Sequence, residues 1–262
     1  MNRKLSAPLR KKVAREAALL LYTLQEKEFK QAKERAAKSL GLRVLPTNLE
    51  VAEELDLIAD EFEGDERRER LVRMRKEALE IMELLKEFNP RLIGSVWRGT
   101  VNKNSDIDIV IFSRNKDSVI KTLTREELKI TAIEVTPAAK DGSGETTHIY
   151  VELSSKDQVE IFVRSLDDIT REERCDIYGD LKKGLNIDEL KEVLERDPLK
   201  RFIPKREEWK WMKTLKYLFR EKTKEYLKDE RVEIDREQFR KMFPNLAREI
   251  EGGNNKIVIS SV

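Results

Sequence analysis

Two aspartates one residue apart, Asp106 and Asp108, open the apolar segment DIDIVIF at 106–112. Side chains two apart on a β-strand point to the same face, so the two carboxylates are expected side by side. Like charges at that spacing repel each other, and a divalent cation can offset the repulsion. The pair therefore predicts a site for Mg²⁺ or Mn²⁺, although a solvated acidic pair gives the same pattern.

A Gly-Ser pair, Gly94 and Ser95, lies upstream, directly after a short apolar stretch. Such a turn exposes backbone N–H groups and a hydroxyl that can bind phosphate oxygens. Arg98 can add a charge-assisted contact to the same phosphate. Each feature also has an ordinary explanation, a strand-to-helix turn for the Gly-Ser pair and a surface ion pair for Arg98. In combination with the two aspartates they predict a nucleotide-binding site.

The segment GSVWRGTVNKNSDIDIVIF at 94–112 resembles the signature of the polymerase-β-type nucleotidyltransferase superfamily. In that signature a glycine and a serine or second glycine precede two acids that alternate with apolar residues. In detail the segment is similar to archaeal-type tRNA CCA-adding enzymes, which share its Gly-Ser, Arg-Gly-Thr and Ser-Asp-Ile-Asp runs. The resemblance implies that Asp106 and Asp108 are catalytic metal ligands. It implies nucleotide binding by Gly94, Ser95, Arg98, Thr100 and Ser105.

The resemblance also implies a third carboxylate on a later strand. Glu160 in QVEIFV is the first choice, because it stands between two apolar residues, as expected on a central strand. The superfamily more often has Asp at this place, so Glu160 departs from its pattern. Glu152 in THIYVEL is the alternative, and it can equally be an outward-facing strand residue. With Glu160 as third ligand, the prediction is a site that binds Mg²⁺ or Mn²⁺ as cofactor and a nucleoside triphosphate as substrate.

These assignments predict nucleotidyl transfer. Asp106 and Asp108 would hold two metal ions, one for the triphosphate and one, shared with Glu160, for an acceptor hydroxyl. The hydroxyl would attack the α-phosphate in line, pyrophosphate would leave, and Glu160 could also take the hydroxyl proton. The resemblance covers only the region around 90–166. The acceptor therefore stays open, with RNA first and a protein or small molecule as competitors. An RNA-binding or regulatory module without catalysis is the alternative of a different class, and the sequence predicts no oligomeric state.

Hydrophobic patterning places this site in the second of three zones. Residues 90–166 carry several strand-like segments and a helix at 116–128, and DGSG at 141–144 is a turn between two strands. They are interpreted as the catalytic domain. The zone predicts an α+β fold with a mixed sheet, and the resemblance makes it polymerase-β-like.

The flanking zones, 1–89 and 167–262, are predicted to be helical regions. In the first, Thr47 or Asn48 caps a helix that ends before Gly64, and another helix follows at about 65–88. The tail EGGNNKIVISSV either adds a terminal strand or frays. As a whole, the layout is similar to a group of archaeal predicted nucleotidyltransferases.

Charge is unevenly distributed in the first zone. Residues 1–45 hold 12 Lys/Arg against 4 Asp/Glu, and residues 46–90 hold 7 against 14. The favoured interpretation is two solvated helix faces that partly neutralise each other. The alternative is a basic arm that binds a polyanion such as RNA.

A second basic stretch, 196–228, holds 12 Lys/Arg against 5 Asp/Glu and is rich in aromatic residues. Apolar side chains at helical spacing favour a core-facing stripe, formed by Trp209, Met212, Leu215 and Phe219. The lysines between them can still line a phosphate-binding face, formed by Lys210, Lys213, Lys216 and Lys224. A stacking role for Trp211 is the least supported of these hypotheses.

Composition excludes several other classes. The single cysteine, Cys175, cannot form an internal disulfide, which favours a reducing cytoplasm. With one histidine, His148, and one cysteine, a zinc site is not expected. No apolar run is long enough for a membrane span. The abundance of Lys, Glu and Arg is typical of thermophile proteins, and the net charge of +2 identifies no partner.

Overall fold

The computed structural model describes residues 3–137 and 144–204, together with two strands at Arg231–Asp235 and Lys256–Ser260. The chain divides into two compact units, Met1–Pro204 and Lys205–Val262. The predicted DGSG turn begins outside the described residues. The aromatic and basic stretch lies outside the described residues from residue 205 onward, and this part includes Trp209, Trp211, Met212, Leu215, Phe219, Lys210, Lys213, Lys216 and Lys224.

Three helices form the N-terminal part of the first unit: α1 (Arg3–Tyr22), α2 (Phe29–Ser39) and α3 (Asn48–Leu84). Thr47 caps α3, since its side chain accepts a hydrogen bond from the Glu50 backbone N–H while the Glu50 carboxylate accepts one from the Thr47 N–H. The predicted break is confirmed, because the backbone leaves the helical conformation at Gly64 with φ 50° and ψ −125°.

Packing changes at this break in α3. The half before Gly64 packs with α1 and α2 around small side chains such as Ala17 and Ala36, with Ile58 fully buried among them. The half after Gly64 contributes Met74 and Met82 to the core beneath the sheet. A single helix therefore joins the N-terminal helices to the body that carries the site.

The sheet has five strands in the order β1-β2-β5-β4-β3. Only β2 and β5 run parallel, and the other neighbours are antiparallel. The predicted α+β class with a mixed sheet is therefore confirmed. The strands are β1 (Arg91–Ile93), β2 (Ile107–Phe112), β3 (Lys129–Thr136), β4 (Thr146–Glu152) and β5 (Gln158–Arg164), with helices α4 (Gly94–Arg98), α5 (Lys116–Arg125) and α6 (Ile187–Arg196).

The sequence had predicted a helical C-terminal zone, but the described part of this zone is only partly helical. Residues 169–186, including Cys175, form turns and isolated bridges before α6. In the second unit, β6 (Arg231–Asp235) and β7 (Lys256–Ser260) pair antiparallel. The alternation of polar and apolar residues in RVEID is the sequence signal that should have marked β6 as a strand.

Ion pairs between α1 and α3 support the favoured interpretation of the charge split. Arg10 pairs with Glu50 at 3.2 Å, and Arg15 pairs with Glu61 at 2.7 Å. Lys11 lies 3.7 Å from Glu54. Much of the basic character of α1 is thus directed at the acidic face of α3. Within the described residues, no helix is both long and apolar enough to cross a bilayer.

Arg75 of α3 is fully buried and holds three chain segments together. Its guanidinium donates to the carbonyl oxygens of Val96, Trp97, Pro198 and Lys200 at 2.8–3.1 Å. Burial lowers the pKa of Arg75 to about 10, so the group remains charged at neutral pH. Leucine at this position leaves those carbonyls without a donor. We expect Arg75→Leu to lower the free energy of unfolding by about 3 kcal/mol or more.

Urea unfolding measures this loss, and Arg73→Leu is the matched control on the same helix. Arg73 is exposed and pairs with Asp157 at 2.9 Å. Loss of such a surface pair costs only about 0–1 kcal/mol. Equal effects of the two substitutions would contradict the structural role of Arg75.

Candidate active site

Three carboxylates converge on one face of the sheet. β2 and β5 are parallel neighbours, and their register places Asp108 directly beside Glu160. Asp106 precedes β2 by one residue, so strand alternation brings it to the same face. One carboxylate oxygen from each residue lies within 4.8 Å of the others. Asp106 is the most exposed of the three.

Proximity and burial make this cluster electrostatically costly. Burial raises the pKa of Asp108 well above its ordinary value, and the charges of Asp106 and Glu160 raise it further. Burial also raises the pKa of Asp106, and the charge of Glu160 adds to that shift. The cluster therefore disfavours its own ionised form, and a bound cation would reverse that preference.

This cost predicts a pH-dependent stability for the metal-free protein. In EDTA, the free energy of unfolding should fall as the pH rises from about 4, the ordinary range of aspartate, through the raised pKa of Asp108. Over that window the folded state retains protons that the unfolded chain has released. Urea unfolding of the wild type and of Asp108→Asn at a series of pH values isolates the contribution. Parallel profiles for the two proteins would contradict it.

Gly94 lies against this cluster, at the junction of β1 and α4. Its φ is +69°, a left-handed conformation that favours glycine. A Cβ atom built on Gly94 would stand 1.8 Å from Asp108 Oδ2. No side chain can therefore occupy this position while Asp108 keeps its place. The glycine of the predicted motif is required by contact with the second aspartate.

Three further residues predicted to bind the nucleotide, Ser95, Thr100 and Ser105, differ in the hydrogen bonds that they make. Ser95 is half-buried in α4, and its hydroxyl has no hydrogen-bond partner among the described residues. Thr100 donates its backbone N–H to the Ser95 carbonyl at 3.0 Å. Ser105 closes a turn, since its hydroxyl accepts the Asn102 N–H at 2.9 Å. Of the three hydroxyls, that of Ser105 is thus the one engaged by a hydrogen bond within the described part of the chain.

Arg98 has a structural role instead of the predicted phosphate contact. Its side chain is buried and donates both terminal nitrogens to the Asp180 carboxylate, at 2.7 and 2.8 Å. It also donates to the Phe202 carbonyl and stacks 4.1 Å from the Trp97 ring centroid. The guanidinium therefore attaches α4 to the segments that follow the sheet.

Glu152, the alternative third carboxylate, lies apart from the cluster. It pairs with Lys129 at 2.7 Å and with Lys156 at 3.5 Å. The hydrogen bond and charge of Lys129 lower the pKa of Glu152. Glu160 is instead within reach of both aspartates, and it accepts a contact from His148 Nδ1 at 2.7 Å.

The loop before Asp106 is held by the N-terminal helices, a connection that sequence reasoning missed. Arg67 Nε donates to the Val101 carbonyl at 2.6 Å, and the Lys103 N–H donates to Glu63 Oε1 at 2.8 Å. Asn104 Nδ2 donates to the Tyr22 carbonyl at 2.7 Å. The first zone therefore braces the loop that presents the aspartates.

A cavity of about 390 Å³ opens on the face of the sheet that carries the cluster, but none of the three carboxylates lines it. Val110 and Phe112, which follow Asp108 on the same face of β2, line it together with Arg91 and Arg164. Loops at 168–173 and 181–184 form its other wall. Its volume is within the usual range for small-molecule sites, roughly 300–1,000 Å³.

Comparison with known proteins locates one family match. Residues 76–173 match the family described as a domain of unknown function (DUF4269). The matched segment is less than half of the chain, and it contains the three carboxylates and the Gly94 turn. No curated protein matches the chain.

Proposed function

We propose that this protein is a metal-dependent nucleotidyltransferase. It would transfer a nucleoside monophosphate from a nucleoside triphosphate to an acceptor hydroxyl. The observation that carries the proposal is the cluster of Asp106, Asp108 and Glu160, whose carboxylate oxygens approach within 4.8 Å beside a glycine that leaves room for them. The sheet order and the β1-turn-β2 arrangement of these residues support a polymerase-β-like fold for residues 90–166.

The residues present fit a divalent cation. All three candidate ligands are carboxylates, which Mg²⁺ and Mn²⁺ prefer over nitrogen or sulfur ligands. Burial and the neighbouring negative charges raise the pKa values of Asp106 and Asp108, and a cation would stabilise their ionised forms. When bound by these three acids, the metal supplies charge stabilisation for the phosphates and lowers the pKa of a coordinated hydroxyl.

The chain's own residues have separable tasks in this reaction. The Gly94 turn leaves space beside Asp108, and the hydroxyl of Ser95 can donate to a phosphate oxygen. The bond from the acceptor oxygen to the α-phosphorus forms as the bond to the bridging oxygen of the leaving pyrophosphate breaks. Glu160 accepts the proton released by the acceptor hydroxyl.

RNA is the proposed acceptor, and a protein or a small molecule is the competing choice. The basic stretch 196–228 is the proposed RNA contact, since 12 of its residues are Lys or Arg. A single cysteine, Cys175, agrees with the cytoplasm as the proposed location.

Labelled substrates test the proposal. The protein is incubated with each α-labelled nucleoside triphosphate, Mg²⁺ or Mn²⁺, and in separate reactions total RNA, total protein or a small-molecule extract. We expect the label to enter one acceptor class only in the presence of the metal. Salt-dependent RNA binding without incorporation in any reaction would instead favour a binding module without catalysis.

A further inference from the structure

Glu160 is held by a hydrogen-bonded chain that runs across β4 to the edge strand β3. His148 Nδ1 lies 2.7 Å from Glu160 Oε1, and His148 Nε2 lies 2.9 Å from Thr136 Oγ1. The histidine and glutamate side chains are only 18% and 16% exposed. A neutral imidazole satisfies both contacts when Nδ1–H donates to Glu160 and Nε2 accepts from the Thr136 hydroxyl.

The imidazole is also restrained by packing. Its ring meets Phe162 edge-on, with the centroids 5.1 Å apart. Phe162 is the register partner of His148 on β5 and shares the face of Glu160. Both nitrogens and one ring edge of His148 are therefore engaged, which fixes the direction of the Nδ1–H bond toward Glu160.

Tyr150 adds a second restraint on the same carboxylate. It stands directly opposite Glu160 in the β4–β5 register. Burial, followed by the charges and hydrogen bonds of Glu160 and Glu134, raises the pKa of Tyr150 to about 12. A phenol hydroxyl opposite the carboxylate can donate a hydrogen bond to it.

These restraints matter because the third acid is a glutamate. Its side chain has one more rotatable bond than aspartate, and ordering a long side chain costs conformational entropy. A metal ligand held in advance by a hydrogen bond avoids much of that cost when the ion binds. Asp106 and Asp108 are shorter and lie at or before the start of a central strand, so their carboxylates have less freedom to lose.

We propose that His148, oriented by Thr136, is a positioning residue that fixes one oxygen of Glu160 and leaves the other for the metal. The inference rests on the proposed metal-dependent function. It assigns the sole histidine of the chain a part in building the site without direct contact with the ion or the substrate. It also explains how a glutamate can act as the third metal ligand. The shorter side chain of an aspartate would not need a hydrogen bond from a histidine to hold it in place.

Mn²⁺ binding to the full chain, followed by electron paramagnetic resonance at fixed pH, tests the inference without relying on turnover. His148→Ala is expected to weaken Mn²⁺ affinity by about 10- to 100-fold, the usual effect of losing a group that orients a metal ligand. His148→Asn should restore most of the affinity, because its amide can donate from nearly the position of Nδ1. Thr136→Val should cause a smaller loss in the same direction. Glu152→Gln, on the same strand as His148, should leave the affinity unchanged.

A double-mutant cycle separates positioning from a general effect on folding. In Glu160→Asp the shortened carboxylate no longer reaches His148, so adding His148→Ala should cause little further loss. Equal losses in both backgrounds, or a His148→Asn variant as weak as His148→Ala, would overturn the inference. If the wild-type protein binds Mn²⁺ and His148→Ala binds it equally well, the inference about His148 is overturned but the proposed function is not. Failure of the wild-type protein to bind Mn²⁺ overturns the proposed function as well.

Discussion

Asp108→Asn is expected to reduce nucleotide transfer by more than the roughly 10- to 100-fold that follows loss of a residue which only orients a metal ligand. Asp108 has a carboxylate oxygen within 4.8 Å of those of Asp106 and Glu160, and its Oδ2 fills the space that a side chain at Gly94 would need. Asparagine has nearly the same shape but carries no charge, so it cannot replace a carboxylate as a ligand for Mg²⁺. The fold should remain intact, and the metal-free variant should be more stable than the wild type at neutral pH.

The matched control for this prediction is Glu152→Gln. This substitution also changes a carboxylate on a strand of the sheet to an amide. The ion-pair partners of Glu152, however, are Lys129 and Lys156. Initial rates of incorporation at saturating metal and nucleotide should stay near the wild-type value. Wild-type activity of Asp108→Asn would contradict the assignment of the site, and loss of activity in Glu152→Gln would favour Glu152 as the third ligand.

Gly94→Ala is expected to have the second-largest effect on activity. The added methyl would lie 1.8 Å from Asp108 Oδ2, a distance at which atoms cannot coexist. Either the turn or the aspartate must move, and displacement of a reacting group by about 1 Å can cost on the order of 100-fold in rate. Steady-state rates and Mn²⁺ affinity should both fall, because the same movement disturbs the ligand.

Gly41→Ala provides the control for backbone strain. Gly41 has φ +64°, close to the value at Gly94, but a Cβ atom there would meet nothing within 4 Å. Both substitutions impose a left-handed conformation on alanine, at a cost of about 1 kcal/mol. Only Gly94→Ala should lose transfer activity. Equal activity losses in the two variants would show that strain, and not contact with Asp108, is responsible.

Local patterns were sufficient to predict the strands and the shared face of two acids. Alternation in DIDIVIF directs Ile107 and Ile109 into the core, and Asp108 emerges on the opposite face. Local patterns could not predict the position of Glu160 relative to Asp108, because β3 and β4 separate β5 from β2 along the chain. Only the parallel pairing of β2 with β5 brings Glu160 beside Asp108. The resemblance anticipated this third acid, whereas spacing alone could not distinguish it from Glu152.

Arg98 illustrates what motif reasoning does not reveal. Its position four residues after Gly94 is compatible with a phosphate contact, but its partners Asp180 and Phe202 lie more than 80 residues later. Side chains so distant in sequence leave no local signal. Glu63 is a similar case, since its buried carboxylate accepts the Lys103 N–H from the loop before the aspartates. The charge pattern predicted acidic helix faces within residues 46–90. Only the tertiary structure shows that Glu63 binds the backbone of the loop before the aspartates.

Under the proposed function, the protein transfers the nucleoside monophosphate, which contains the α-phosphate, from a nucleoside triphosphate to the acceptor. The most direct test compares one nucleotide labelled at the α-phosphate with the same nucleotide labelled at the γ-phosphate, each incubated with protein, Mn²⁺ and the acceptor fraction. Nucleotidyl transfer predicts that the α-label enters the acceptor and the γ-label appears in pyrophosphate. It also predicts that Asp108→Asn abolishes both changes. Entry of the γ-label into the acceptor, or incorporation unaffected by Asp108→Asn, would contradict the claim.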